Sequence, residues 1–306
     1  VTGGVDMDAL PFAAPGDEAP LRRLLDEFFE SRLAALGLAL FVVIALAALL
    51  APIISPQNPY DLAQLDILDG RLEPGTPNAS GMRYWLGTDD QGRDMLSAIL
   101  YGLRISLAVG TISTVAALLL GSTLGLVAAF FGGRLDALIM RIADIQLSFP
   151  AILVALILIA VLGKGVDKVI VALVTVQWAY YARTVRATAL VERRKEYIEA
   201  AISLALSRTR ILWRHLLPNC LPPLIVVATV QIARAITLEA TLSFLGLGLP
   251  ITQPSLGLLI ANGFEYLMSG KYWISFFPGV ALLVTIVSIN LIGDHLRDVL
   301  NPRLRR

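Results

Sequence analysis

The chain has 306 residues, 56% hydrophobic and only 16% charged, with a mean hydropathy of +0.72; a soluble domain would carry about a quarter charged residues, so lipid is the expected main solvent. Its 25 Lys and Arg against 24 Asp and Glu leave a net charge of +1, which excludes a global basic field for holding nucleic acid. A single cysteine, Cys220, excludes an internal disulfide and a thiolate metal cluster, and its apolar setting predicts a packing role.

Residues 1 to 20, with Gly, Pro and acidic side chains, read as a disordered tail, and the acidic stretch from Asp17 to Glu30 is unlike the basic start of a secretory leader. The first apolar run, residues 33–54, is therefore expected to be a retained span. At 1.5 Å per residue it gives about 33 Å of helix, against a hydrocarbon core of roughly 30 Å. Pro56, Pro59, Gly70, Pro74 and Pro77 mark residues 55–102 as a turn-rich loop outside the membrane.

A second apolar region covers about 105–131, with Gly110, Gly121 and Gly125 suited to close helix approach and Gly132-Gly133 at its end. Further spans are expected at about 143–162, containing Pro150, and at about 169–181, 221–245 and 273–292. Arg234 and Glu239 fall inside the fifth span. An ionisable group at that depth is expensive unless paired or near water, so both are expected to face protein or a water-filled path, and their spacing leaves open a pair with each other.

Basic clusters set the orientation. Arg22, Arg23 and Arg32 precede the first span; Arg134 and Arg141 lie between the second and third; Arg183 to Arg214 crowd between the fourth and fifth; Arg297 to Arg306 close the chain. With six spans and a cytoplasmic N-terminus, all of them fall on one side. The acidic 55–102 loop falls on the other.

Between the fourth and fifth spans, residues 183–219 form an unusually long polar segment, which from Lys195 reads KEYIEAAISLALSRTRILWRHLLPN. Ile198, Ala201, Ile202, Ala205 and Leu206 recur near helical spacing and predict one face of a short amphipathic helix. A turn at Ser207 and Thr209 then starts a second helix, stopped by Pro218. The residues alone leave two uses open: resting in anionic headgroups, or filling a groove on a partner.

Elsewhere, Asp89 and Asp94 are read as loop caps or ion-pair partners of Arg93 and Arg104 ahead of substrate-contacting groups. Asp136, Arg141 and Asp144 are spaced for a structural network along one helical side. His215 and His295, the two histidines, lie in polar segments and predict no metal site. The chain has no G-x-x-x-x-G-K-[ST] phosphate loop, so no catalytic ATP site is expected in it.

The 195–219 segment resembles the Glu-Ala-Ala loop of bacterial binding-protein-dependent ABC importer permeases. Glu199, Ala200 and Ala201 match the opening, Ala205 stands at the glycine place, His215 at the isoleucine place, and Leu217-Pro218 close the pattern. Gly87-Thr88-Asp89, Gly92-Arg93-Asp94, Leu103-Arg104 and Ser106 resemble the extracytoplasmic approach to the second span in the C permease of dipeptide, oligopeptide and nickel importers. Gly132-Gly133, Asp136, Met140-Arg141, Asp144 and Phe149-Pro150, and later Glu239-Ala240 with Leu242 to Gly248, resemble further stretches of that family.

The resemblance implies an all-α, polytopic membrane protein of six transmembrane helices with the type I ABC importer permease fold. It implies half of a pathway for short peptides, with a homologous B permease as the other half. Two cytoplasmic ATPase subunits would bind ATP and Mg, with no cofactor in this chain, and an extracytoplasmic solute-binding protein would deliver the cargo. The helix from Glu199 to Ala205 would dock on an ATPase, and Pro218 would fix the exit towards the fifth span. The expected organisation is a cytoplasmic tail over 1–32, a first span over 33–54, an outer loop over 55–102, a permease core over 103–295 and a second cytoplasmic tail over 296–306. Both termini would be on the cytoplasmic face of a bacterial inner membrane. Nickel complexes or another small solute, and an ion-coupled secondary transporter, are the alternatives; the latter would need midplane ionisable groups and related halves, which the sequence hardly offers.

Overall fold

The computed structural model describes residues 20–78 and 81–300. The tail expected over residues 1 to 20, Pro20 apart, and Arg303, Arg305 and Arg306 lie outside the described residues.

The described chain is all-α, with four helices long and apolar enough to cross a membrane, or five if one bent pair counts as a single span. A short helix α1 (Pro20–Phe29) leads into α2 (Arg32–Leu49), whose first turn is capped by Ser31 accepting from the Ala34 amide at 3.3 Å. The first span is not one rod to residue 54: it breaks at Leu50 and continues as α3 (Ala51–Ile54), because Pro52 has no amide for a continuous helix. The 37-residue α4 (Met95–Phe131) starts on an Asp94 cap, the side chain accepting from the Ser97 amide at 2.8 Å, and ends at Gly132 with φ 66°.

The third span, expected at about 143–162, is a bent pair, α5 (Gly133–Ser148) and α6 (Ala151–Leu162), at 94° to each other. Proline forces its predecessor into extended backbone, and Phe149 sits at φ −93°, ψ 143°. Alone, α6 is about 18 Å long and too short to cross. Next, α7 (Val166–Glu192) runs well past the expected end at residue 181, so Arg183 and Arg186 belong to this helix and not to the loop after it.

The polar segment forms α8 (Glu196–Ser203), a single turn α9 (Arg208–Arg210), and a π-helical turn over Ile211–Leu216 that runs directly into α10 (Leu217–Phe244). The second short helix therefore does not stop at Pro218. Pro218 follows directly on the π turn, and Pro222 and Pro223 lie inside the helix, so three amides are withheld near its base. A further helix the sequence reading did not identify, α11 (Leu256–Phe264), precedes α12 (Trp273–Leu300), which takes in residues 296–300 of the expected C-terminal tail.

Helices α4 and α7 pack along each other over most of their length. A Cβ on Gly121 would meet the Tyr181 Cβ at 2.7 Å, and one on Gly125 would meet the Ala182 carbonyl at 2.5 Å, so both positions need the bare backbone. Helix α10 packs against α4, α7, α11 and α12, while α2 lies along α12. Buried Ile198 and Ala201 of α8, Ile211, Leu212 and Leu216 of the π turn, and Cys220 join Tyr181, Val185 and Ala189 of α7 in one apolar cluster. The polar segment is thus held in the bundle by burial, which is worth about 1.5–3 kcal/mol for a fully buried Ile or Leu side chain.

Candidate coupling and pathway site

Helix α8 begins with Glu196 and Glu199 in its first turn, where negative charge suits the helix dipole. Ile198 and Ala201 point into the bundle, whereas Glu199, Ala200, Ile202 and Leu204 are exposed. The helix ends in a two-bond stop: the Leu206 amide donates to the Ala201 carbonyl at 3.2 Å and the Ala205 amide to the Ile202 carbonyl at 2.9 Å. That pattern requires a left-handed residue just past the helix, and Ala205 adopts φ 54° there. The glycine place of the family pattern is thus the position where a Cβ is strained.

The segment is moored at both ends. Buried Glu192 accepts from Lys195 Nζ at 2.7 Å and from the Tyr197 hydroxyl at 2.9 Å; burial and that bond push the Tyr197 phenol up to about 12. Arg193 donates to the Ala129 carbonyl at 2.9 Å and lies over the Phe130 ring, and Arg208 lies over Phe131, so the last turn of α4 holds the segment. Ser207 caps α9, accepting from the Arg210 amide at 3.4 Å. His215 is half-buried, and its carbonyl accepts from Asn219 Nδ2 at 2.7 Å; Leu217 is half-buried and Pro218 exposed.

In α5, Asp136 pairs with Arg186 of α7 through two hydrogen bonds, one of them 2.6 Å, and Asp144 meets Arg183 at 3.7 Å where both are exposed. The partners come from the neighbouring helix. Arg141 is exposed and joins neither pair, so the network along one side of α5 does not form as expected.

The loop ahead of α4 is a hydrogen-bonded knot. Arg93 pairs with Asp89 at 2.6 Å with both side chains almost fully buried, and also donates to the Ile251 carbonyl at 3.3 Å. Asp94 accepts from the Ser97 amide and, at 2.6 Å, from its hydroxyl. Burial pushes its carboxyl above the ordinary range, and the two Ser97 bonds pull it back. Thr88 Oγ1 accepts from the Leu72 amide at 2.7 Å, and its carbonyl accepts from Trp273 Nε1 at 3.2 Å. Gly87 at φ 79° and Gly92 at φ 75° make the turns. Arg104 stands exposed on α4 and joins neither carboxylate.

Arg234 and Glu239 do not pair. Five residues of regular helix separate side chains by about 140°, and α10 is regular there. Glu239 is fully buried and accepts from Ser106 of α4 at 2.9 Å and Ser243 at 2.8 Å. Arg234 faces the other way, its guanidinium 5.8 Å from the Tyr180 ring centroid and 3.5 Å from Gln231 Oε1.

It stands where two clefts meet. One, of about 1060 Å³, runs between α7, α10 and α12 towards the coupling segment, past Val191, Asn219, Pro222 and Arg297. The other, of about 610 Å³, runs towards Ala151, Thr241 and Asn290. Both are lined by Tyr180, Val230, Gln231 and Arg234. The sequence reading missed Gln177, Tyr180, Thr184 and Thr188; these recur every three or four residues along α7, a polar stripe that periodicity could have found.

The match to a model of the binding-protein-dependent transport system inner membrane component family covers residues 121–306, and that to the N-terminal transmembrane domain of oligopeptide transport permease C covers residues 19–74. A Brucella suis protein named as a peptide transport system permease is 43% identical over 88% of each chain. The dipeptide transport system permease protein DppC of Alkalihalophilus pseudofirmus is 36% identical over 94% of this chain and 91% of its own. Among solved structures, a chain of the MetNI methionine ABC transporter in an inward-facing form is similar at a TM-score of 0.55 and 23% identity, over 68% of this chain and 98% of that one, which shows a common fold. The chain belongs to the family of inner membrane components of binding-protein-dependent transport systems, as a permease of the C type.

Proposed function

We propose that this chain forms one half of the membrane pathway of an ABC importer for short peptides, the other half being a homologous B permease. Separate ATPase subunits hydrolyse ATP, and a solute-binding protein delivers the cargo. Six crossings follow if α2 with α3, α4, the α5–α6 pair, α7, α10 and α12 each count as one. Helix α7, at 27 residues and about 40 Å, supplies the crossing beyond the five found by apolar length, its polar stripe turned to the clefts. Both termini and α8 are then cytoplasmic, in line with the basic clusters. The organisation keeps a tail over 1–32 and a first span over 33–54; the outer loop ends at Asp94, where α4 begins, the core runs from α4 to the end of α12, the second tail follows Leu300, and the coupling loop of 183–219 is reduced to the stretch from Arg193 to Leu216.

The observation that carries the proposal is α8: anchored from beneath by Ile198 and Ala201, it leaves Glu199, Ala200, Ile202 and Leu204 free to seat in a partner. A helix so held passes a push directly to α7 and α10. The test is to purify the complex with its native subunits, reconstitute it, and follow ATP-dependent uptake of a di- and oligopeptide pool with the binding protein present. Glu199→Arg with Ala200→Trp is expected to abolish uptake while the permease pair stays assembled. ATP turnover with no peptide uptake would turn the search to nickel complexes and other solutes, and absence of any copurifying ATPase would overturn the mechanism.

A further inference from the structure

Arg234 is the one cation among the described residues placed near the middle of α10, about 25 Å along the helix from Leu217 at 1.5 Å per residue. A guanidinium at such depth is expensive in hydrocarbon and is kept where it meets water or an anion. Among the described residues no carboxylate is within ion-pair distance of it: the charged pairs all lie elsewhere, and Glu239 is turned to the opposite side of the helix. Its neighbours are an aromatic face and an amide oxygen, Tyr180 and Gln231. These orient the guanidinium without neutralising it, since a cation over a ring gains only about 0.5–2 kcal/mol.

The position is also the meeting point of the two clefts, so any solute moving from one to the other passes this side chain. The smaller cleft is also lined by the polar residues Gln177, Thr237, Thr241 and Asn290; the two threonine hydroxyls donate to carbonyls of their own helix, which leaves their oxygens able to accept. A planar, permanently charged fork at that point matches a carboxylate.

Resting on the peptide-importer reading, we propose that Arg234 is a cargo-binding residue that takes the carboxylate of a passing peptide, at its C-terminus or on an acidic side chain, midway along the pathway. Tyr180 and Gln231 are positioning residues that hold the guanidinium towards the clefts.

The test uses the complete importer in proteoliposomes, with binding protein saturated by trialanine, by trialanine amide, or by Ala-Glu-Ala amide. The ratio of free-acid to amide uptake is compared between wild type and R234Q, so that any preference of the binding protein cancels. The ratio is expected to fall about tenfold or more in R234Q, as for loss of a charge-assisted hydrogen bond. Ala-Glu-Ala amide tracking the free acid assigns any carboxylate; tracking the amide assigns the C-terminus. An unchanged ratio, with peptides still imported, overturns the proposal alone; a wild-type complex that turns over ATP and imports none of the three overturns the peptide reading and the proposal with it. If R234Q fails to assemble, the same ratio is read on R234K, which keeps the charge for a pair with the second permease and gives up the fork. A ratio lowered in R234K supports recognition by the fork, and a ratio unchanged both in R234K and in R234M, which removes the charge, overturns the proposal.

Discussion

Ala205 holds a left-handed backbone that an L-residue with a Cβ adopts at a cost of about 1–2 kcal/mol. Ala205→Gly removes that cost while keeping both closing hydrogen bonds, and offsets part of the gain through greater freedom in the unfolded chain. The expected net effect is a stabilisation of about 0.5–1 kcal/mol, seen as slower amide exchange at Leu206 in the purified complex; faster exchange would show that the stop has been misjudged. At this scale the sequence was partly legible. The Glu-Ala-Ala pattern located the turn, but only the backbone shows that its glycine place is the left-handed residue. Arg234 and Glu239 were legible as expensive charges, yet their separation depended on the helix being regular, and a possible mutual pair gave way to two serine hydroxyls and a tyrosine ring.

Among the elements, long apolar runs located α2, α4, α10 and α12, because burial in lipid demands about 20 apolar residues in a row. The ends were harder. Helix α7 carries its polar stripe and Arg183 and Arg186 well beyond the apolar part, so hydropathy stopped it early. The break before α6 needed the reading that Phe149-Pro150 turns the chain, and α11 is too short and too close to α12 to register as its own unit. The glycines of α4 were read correctly as contact points. Gly125→Val would drive a side chain into the Ala182 carbonyl and Val185 Cβ, 2.5 and 3.0 Å from an added Cβ. Overpacking of this kind costs about 1–3 kcal/mol or more; the melting temperature of the purified complex is expected to fall, and an unaltered melt would mean that α4 and α7 can part at that level without loss.

At the scale of the whole molecule, one continuous helical path joins the coupling segment to the clefts: α9, the π turn and α10, from Arg208 to Phe244. Its parts are unequal. Pro218, Pro222 and Pro223 withhold three amides within six residues, next to a turn already widened to π geometry, whereas from Gln231 to Phe244 the backbone is an unbroken ladder packed on α4 and α11. Amide exchange in the intact complex is therefore expected to be fastest over residues 219–226 and slowest over 233–243. A uniform profile along α10 would remove the distinction.

The proline-rich base of α10 also lines the larger cleft, with Arg234 three turns further along the stiff part. On the proposed coupling through α8, the helix would work as a lever on a soft fulcrum, a small tilt at its base swinging the far arm as a unit, with displacement growing with distance from the prolines. Motion generated by a protein in the cytoplasm would thus reach the middle of the membrane enlarged, through bending at a place where few backbone bonds need be broken.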